Sequence, residues 1–449
     1  MIDVIAFVDE GLGNSSYLID LGDGRGFVVD PSRDASAYLA RAERLGLKIA
    51  WAVETHLHAD FVSGSRELAA RGASVLAPAA GSYGFDHVGM GDGDEIDLGG
   101  LTLRAIATPG HTPEHLSYVV LDGGQEIGVF TGGALLVGSV ARTDLISNDQ
   151  TVPLTRAAYR SARRVLRDLE ADVAVYPTHG AGSFCSLPTS TDRTTTIGRE
   201  RSSNQVCVAR DEDAFVASLL DSLGSFPPYF LRLRTVNQSG PVVFGDDEPV
   251  LSRLSVSDAQ KEIRDGAIVI DARPFKEFAA GHVPGSMSNE LRPQFASWLG
   301  WLVPEDRRLV FVMSSGQDRL DLVRQCLKIG YERLAGELDG GMDAWRLAGA
   351  DVAATGIVSA GDLRGTVVDV RQEPEVAEGR IAGALNIELG LLESAELPEG
   401  PVTLYCGHGQ RGMTGASLLE RVGRTDLHVL EGGPKDWSAA TGQGLESPA

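Results

Sequence analysis

The sequence predicts a chain of about three domains: a strand-rich α+β front half, built as a sheet sandwich covered by helices, and two small α/β domains with parallel sheets behind it. Its 449 residues are about three times an ordinary domain. The back half repeats itself, and the front half carries more strand-like alternation than helical periodicity.

The repeat sets the organisation. VIDARPFKEFAAGHVPGSMSNEL (269–291) matches VVDVRQEPEVAEGRIAGALNIEL (367–389), with Asp271 and Asp369 98 residues apart. Further on, Arg319 and Arg411, Gly340 and Gly432, and Trp345 and Trp437 are each 92 apart, so one copy carries a six-residue indel. Each copy opens on a β-branched strand and closes on a Gly-Gly turn before a tryptophan-bearing segment, LDGGMDAW or LEGGPKDW. The expected domains are 1–240, 250–352 and 354–449, with FGDDEP (244–249) as the first linker because its turn-forming polar residues interrupt both periodicities.

In the front half, LTLRAIA (101–107) alternates as a half-buried strand does, whereas DASAYLARAERLG (34–46) has helical spacing. TRAAYRSARRVLRDLE (155–170) reads as an amphipathic helix with an apolar stripe from Ala158 to Leu169 and Arg156, Arg160, Arg163, Arg164 and Arg167 on a solvated face.

Composition narrows the function. Hydrophobic residues make up 43%, enough for real cores, and the net charge of −22 repels phosphate backbones and anionic head groups, which argues against nucleic-acid and membrane partners. No stretch approaches the roughly 18 apolar residues of a membrane span, and MIDVIAFVDE carries acid where a leader needs base, so a cytoplasmic protein is expected. Cys185, Cys207, Cys326 and Cys406 include no CxxC pair and form no disulfide framework, so any cysteine chemistry here is thiol chemistry.

Histidines mark the front half. KIAWAVETHLHAD runs from a strand into a loop, placing His56 and His58 at a strand exit; His111 follows a Pro-Gly turn after another strand, and His179 follows ADVAVY in PTHG. Imidazoles repeated at strand exits suit zinc or ferrous iron, whose ligands converge from separate loops at about 2.0–2.2 Å. These motifs, HxHxD, GHT, TGGALL with ARTD after it, and PTHG, resemble the metallo-β-lactamase fold family in order across residues 1–235. ALLVGSVARTD (134–144) and TTTIGRERSSN (194–204) are most similar to its persulfide dioxygenases, which oxidise a thiol persulfide to sulfite with mononuclear iron. The resemblance implies an αββα sandwich, a first metal site of His56, His58 and His111, and a second site or outer shell of Asp60 and His179. Two donors that the resemblance would supply are missing, since Phe61 stands for a histidine and Gly133 for an aspartate. Dinuclear hydrolysis of the hydroxyacylglutathione type needs both ions. The gaps therefore favour mononuclear Fe(II) over Zn(II) hydrolysis. Arg142 is a candidate clamp for a substrate carboxylate, with an ion pair to Asp144 as its alternative. Cys185, among small residues, reads as a buried thiol.

VTLYCGHGQRGMTGASLLERVG (402–423) delivers Cys406 from a strand into a glycine-bearing loop closed by Arg411, ahead of a helix. Converging backbone N–H groups and a helix N-terminus favour thiolate over thiol. With DxR, GxxxGA and GGxxxW, residues 356–449 resemble a rhodanese, which implies a persulfide on Cys406 passed to an acceptor thiol. Four residues between Cys406 and Arg411 suit sulfur better than the wider cradle of related phosphatases. The first copy aligns Ser314 with Cys406, and a serine oxygen carries no persulfide, so that copy is expected to be an inactive scaffold. Together the resemblances imply a persulfide dioxygenase joined to a sulfurtransferase, acting on small persulfides and thiols with thiosulfate or sulfite; a homodimer is compatible with this. A sulfur carrier with a non-catalytic front domain is the alternative.

Overall fold

The structure, a computed structural model, describes residues 3–186, 190–245, 247 and 250–447, so part of the expected linker (246, 248 and 249) lies outside the described residues. The chain divides into two compact units: Met1–Pro249 with Arg324–Gly330, and Val250–Val323 with Tyr331–Ala449. Both copies of the repeat lie in the second unit, except that Arg324–Gly330 of the first copy groups with the first unit.

The first unit is the expected sandwich. One six-stranded sheet runs in sequence order through Val4–Asp9, Asn14–Asp20, Arg25–Val29, Lys48–Val53, Ser74–Pro78 and Val88–Met90. The other runs Thr195–Thr196, Ala174–Pro177, Gln125–Gly132, Leu116–Asp122, Leu101–Ala107 and Glu95–Asp97. Period-two alternation decides the layers. Tyr17, Ile19, Phe27, Tyr118, Val120 and Phe130 face the core between the sheets. Their neighbours Leu18 and Val28 face outward onto the helix Ser36–Arg44, and Val119 and Val129 onto the helix Asn148–Asp168. Each fully buried side chain of this kind contributes about 1.5–3 kcal/mol.

The arginine-rich helix starts at Asn148, ahead of the expected 155, because Pro153 is tolerated within it. Its basic face is not merely solvated. Arg156 and Arg160 both reach Glu212, Arg164 pairs with Asp92, and Arg163 donates to the Val206 carbonyl.

The exits of four strands place the candidate chemistry. The chain leaves Val53 toward 55–60, Ala107 toward 108–115, Gly132 toward Gly133, and Pro177 toward His179.

The second unit holds two five-stranded sheets of one topology. In each, the strand order by position is first, fifth, fourth, second, third: Arg253–Leu254, Leu334–Leu338, Leu309–Val312, Ile268–Asp271, Met287–Ser288, and Gly356–Val358, Leu427–Leu430, Val402–Tyr405, Thr366–Asp369, Leu385–Asn386. All the pairings are parallel. Near-continuous apolar strands such as LVFV and VTLY suit burial on both faces. The DxR motif has a structural role in both copies. Arg273 forks onto Asp271 and donates to the Gly281 carbonyl, while Arg371 forks onto Asp369 and donates to that of Gly379.

Sheet register corrects the alignment of the copies. Asp271 faces Val312 as Asp369 faces Tyr405, so the residue after the strand, equivalent to Cys406, is Met313 rather than Ser314. The loop from there to Arg319 is one residue longer than the loop from Cys406 to Arg411.

Candidate metal centre and sulfur-binding loop

The strand exits of the first unit bring five buried histidines together. Ring nitrogens of His56, His111 and His179 lie within 4.8 Å of one another, and the Nε2 atoms of His56 and His179 are 3.4 Å apart. All three side chains are at most 1% exposed. Each Nδ1 has a partner of its own. That of His56 meets Thr55 Oγ1 at 2.8 Å, that of His111 the Arg142 carbonyl at 2.7 Å, and that of His179 Asn14 Oδ1 at 3.1 Å. Thr55 Oγ1 donates onward to Asp30, and Asn14 Nδ2 to Asp60, so both receive the imidazole N–H. The proton is thereby held on Nδ1 and a lone pair left on each Nε2. His111 Nε2 is buried with no hydrogen-bond partner. Two bare lone pairs facing at 3.4 Å repel unless a cation joins them, and nitrogens about 2.1 Å from one tetrahedral ion stand about that far apart. The three residues fit a metal ion.

Electrostatics agree with neutral donors, the form that ligates. Burial, reinforced by the surrounding imidazoles, pushes His56 well below its ordinary pKa and His111 down to about 3.

His58, expected in this set, points elsewhere. Its Nε2 is 3.2 Å from both Asp30 Oδ1 and Glu54 Oε2, and its ring stacks on Phe61 at 4.2 Å. Burial opposes its protonation, but the two carboxylates prevail and raise its pKa to about 10. Among the described residues three buried groups could hold an ion: His56 with His111 and His179, His56 and His58 with Asp30, and His58 with Asp60 and His179. The expected His56 and His111 thus meet His179 in one group, while the expected His58 shares the other two. The Nδ1 side of His179 faces Asp60, whose Oδ2 is 3.3 Å away. Phe61 is 2% exposed and fills space where a donor would have stood.

Gly133 is packed rather than open. A Cβ there would stand 2.6 Å from His111 Cδ2 and 3.0 Å from Ala141 Cβ, so a side chain would displace the imidazole. Its N–H donates to His115 Nε2 at 2.9 Å, and His115 stacks on His56 at 4.8 Å. Sequence reasoning missed His115, although its place four residues after His111 in the same loop was a signal. It also missed Asn14, Asp30 and Glu114, which carry no motif. Glu114 accepts the Leu57 N–H at 3.0 Å and a fork from Arg234, tying the 55–60 loop in place.

Arg142 makes the ion pair that was its alternative. Its Nε and Nη2 reach Asp144 at 2.8 Å each, the Phe184 and Gly224 carbonyls take further donors, and its guanidinium lies over the Phe226 ring. A clamp on substrate would have to break these contacts. Cys185 is fully buried beside Asp60, and burial raises its thiol well above the ordinary value.

In the second unit, Cys406 leaves the strand Val402–Tyr405 and is 2% exposed. The Gly409 N–H donates to its sulfur at 3.2 Å from a backbone with φ +99°, where glycine is favoured. Arg411 does not point its charge freely at the sulfur: it forks onto Glu375 at 2.7 and 2.6 Å. The loop of the first copy is plugged by its own Gln317, whose Oε1 accepts the Ser314 N–H at 2.8 Å and whose Nε2 donates to the Ala272 carbonyl. Arg319 there donates to the Ser314, Ser315 and Gln317 carbonyls and pairs with Glu337.

A sandwich with histidines at its strand exits, followed by two parallel-sheet domains of which one bears a cysteine loop, defines a class. Residues 9–179 match the metallo-beta-lactamase superfamily model, and 255–348 and 354–440 match the rhodanese-like domain. The chain belongs to the metallo-beta-lactamase superfamily and carries two rhodanese-like domains. It is 32% identical over 184 residues to human mitochondrial persulfide dioxygenase ETHE1, a match covering 40% of this chain and 68% of that protein. It is 38% identical over 112 residues to a hydroxyacylglutathione hydrolase of Acidiphilium cryptum, covering 24% and 45%. A metallo-beta-lactamase structure from Staphylococcus aureus aligns at TM-score 0.67 and 26% identity over 75% of this chain and 98% of its own. No helix among the described residues is long and apolar enough to cross a membrane.

Proposed function

We propose that this protein works in sulfide and persulfide metabolism, its front domain oxidising a low-molecular-weight thiol persulfide to sulfite and its last domain moving sulfane sulfur through Cys406. The convergence of His56, His111 and His179, each with its Nδ1 engaged and its Nε2 turned inward, carries the first half. A ferrous ion held by these three would supply the redox chemistry of oxygen insertion, which Zn(II) lacks. Thr55, the Arg142 carbonyl and Asn14 keep the three imidazoles in the ligating tautomer, and Asp60 bears on the site through His179. The likeness to a persulfide dioxygenase supports this reading.

The hydrolase reading is weaker, because His179 is drawn toward His56 and Phe61 offers no donor, which leaves a second ion little beyond Asp60 and His58. The sulfur-carrier reading keeps one observation in its favour: every donor of the pocket is at most 1% exposed, so substrate must open a path to reach it.

Oxygen uptake with glutathione persulfide, on protein purified without air and loaded with Fe(II), tests the proposal. Uptake that is lost in His111→Ala supports it. Thiosulfate-to-cyanide transfer without any oxygen uptake would leave the sulfur carrier.

A further inference from the structure

The wall around the Cys406 loop is built partly by the copy that has no cysteine. The Arg411 guanidinium lies over the Trp298 ring, 5.5 Å from its centroid. A Cβ on Gly409 would stand 3.0 Å from Phe275 Cζ, and one on Gly390 would stand 2.3 Å from Trp301 Nε1. Phe275, Trp298 and Trp301 all belong to the first copy, and Arg292 lies on the segment that leads into the helix Phe295–Leu302 carrying the two tryptophans.

The two cations at this loop are compensated differently. Arg411 is neutralised by its fork onto Glu375. Arg292 makes no ion pair among the described residues; its Nη1 donates to the neutral amide oxygen of Gln294 at 2.7 Å, and the residue is only half-buried. The segment that carries Arg292 is held against the other copy on both sides. Before it the Ser288 N–H donates to Ser417 Oγ at 3.0 Å, on the helix Gln410–Arg421 that starts beside the Cys406 loop, and after it Trp298 lies under the Arg411 guanidinium. In keeping with that position, burial and the charge of Arg411 lower the pKa of Arg292, while Cys406 and Glu290 act the other way. A half-buried guanidinium with most donors unspent, beside another guanidinium and a thiol, is a built receptor for an anion.

We propose that Arg292, contributed by the cysteine-less copy, binds the negatively charged sulfane-sulfur donor and aligns it on Cys406. The inference rests on the sulfur-transfer reading of Cys406. With thiosulfate, the Cys406 thiolate attacks the outer sulfur, the S–S bond breaks, sulfite leaves with its electron pair, and Cys406 carries a persulfide, with total charge unchanged. Arg292 offsets one of the donor's two negative charges as it approaches a thiolate. The first copy is then a working wall of one composite site, which gives a reason for retaining its fold without its sulfur.

Two measurements on the full-length chain test this. The first is the ratio of Cys406 alkylation rates by iodoacetate, an anion, and iodoacetamide, its neutral analogue, read on the Cys406 peptide by mass spectrometry. The second is KM and kcat for thiosulfate. Losing one charge-assisted contact in Arg292→Gln should lower the alkylation ratio and raise KM by about tenfold each, with kcat within about twofold, and Arg292→Lys should recover most of both. In the unmodified protein the ratio should also fall as salt rises from about 20 mM to about 0.5 M, a measurement that needs no variant to fold. An unchanged ratio and KM in folded Arg292→Gln, or a salt-independent ratio in the unmodified protein, overturns the proposal. If Cys406 gains no persulfide from thiosulfate while the ratio still depends on Arg292, the anion site stands and the sulfur-transfer reading falls.

Discussion

At the scale of single residues, Gly133 and Phe61 decide what the metal pocket can be. The absent aspartate is not a gap awaiting repair, because the space beside Gly133 belongs to the His111 ring. Restoring the carboxylate should therefore harm the site: Gly133→Asp is expected to lower bound iron from about one per chain to under about 0.3, as displacing one ligand of a small set does. Elemental analysis against protein concentration checks this, and a variant that binds iron more tightly would contradict the packing argument. His58 shows the limit of reading ligands by spacing. HxH puts both imidazoles at one strand exit, but two buried carboxylates, Asp30 and Glu54, draw the second ring away. Neither carboxylate has a motif to announce it.

At the scale of elements, loops are held by contacts from distant segments. Glu114 anchors the 55–60 loop through Leu57 and is itself held by Arg234. Burial would raise its pKa, but those donors bring it below the ordinary 4.5. The ionised carboxylate therefore stabilises the fold above the ordinary value, and that stability is lost as pH falls through the depressed one. Glu114→Gln should cost about 2 kcal/mol at pH 7, and the gap from the unmodified protein should close as the pH falls below the ordinary carboxylate range, as urea melts at several pH values will show. In the other unit, the plugged loop predicts that Met313→Cys, although it puts sulfur at the position equivalent to Cys406, will add less than about a tenth to thiosulfate transfer when paired with Cys406→Ser. Gln317 occupies the cradle and the loop is one residue too long. The offsets along the repeat showed only a net six-residue change; that one of those residues lies in this loop only the strand register shows, because hydrogen-bonded pairing is not written in composition.

For the molecule as a whole, the division into two compact units puts the histidine cluster in one and the Cys406 loop in the other. Calorimetry should show two transitions, and Fe(II) at about a hundred times its dissociation constant should stabilise only the first unit, by about 2.7 kcal/mol. The same addition should leave His111→Ala unmoved. A single transition shifted as one by iron would show instead that the units melt together. The net charge of −22 acts at this scale too, as a long-range repulsion of polyanions that does not depend on the fold.

The sequence by itself determined the sandwich, the doubled parallel-sheet domain, the histidine-bearing strand exits and the single cysteine loop, because periodicity, glycine placement and internal repetition are local properties of the chain. Only the tertiary structure decided that His179 comes beside His56 and His111, that Arg142 is spent on Asp144, that Met313 is the counterpart of Cys406, and that Trp298 of one copy meets Arg411 of the other. Those outcomes depend on which buried charges and rings meet across more than a hundred residues of separation in some cases, such as His56 with His179, and burial sets their energies only once the chain has closed around them.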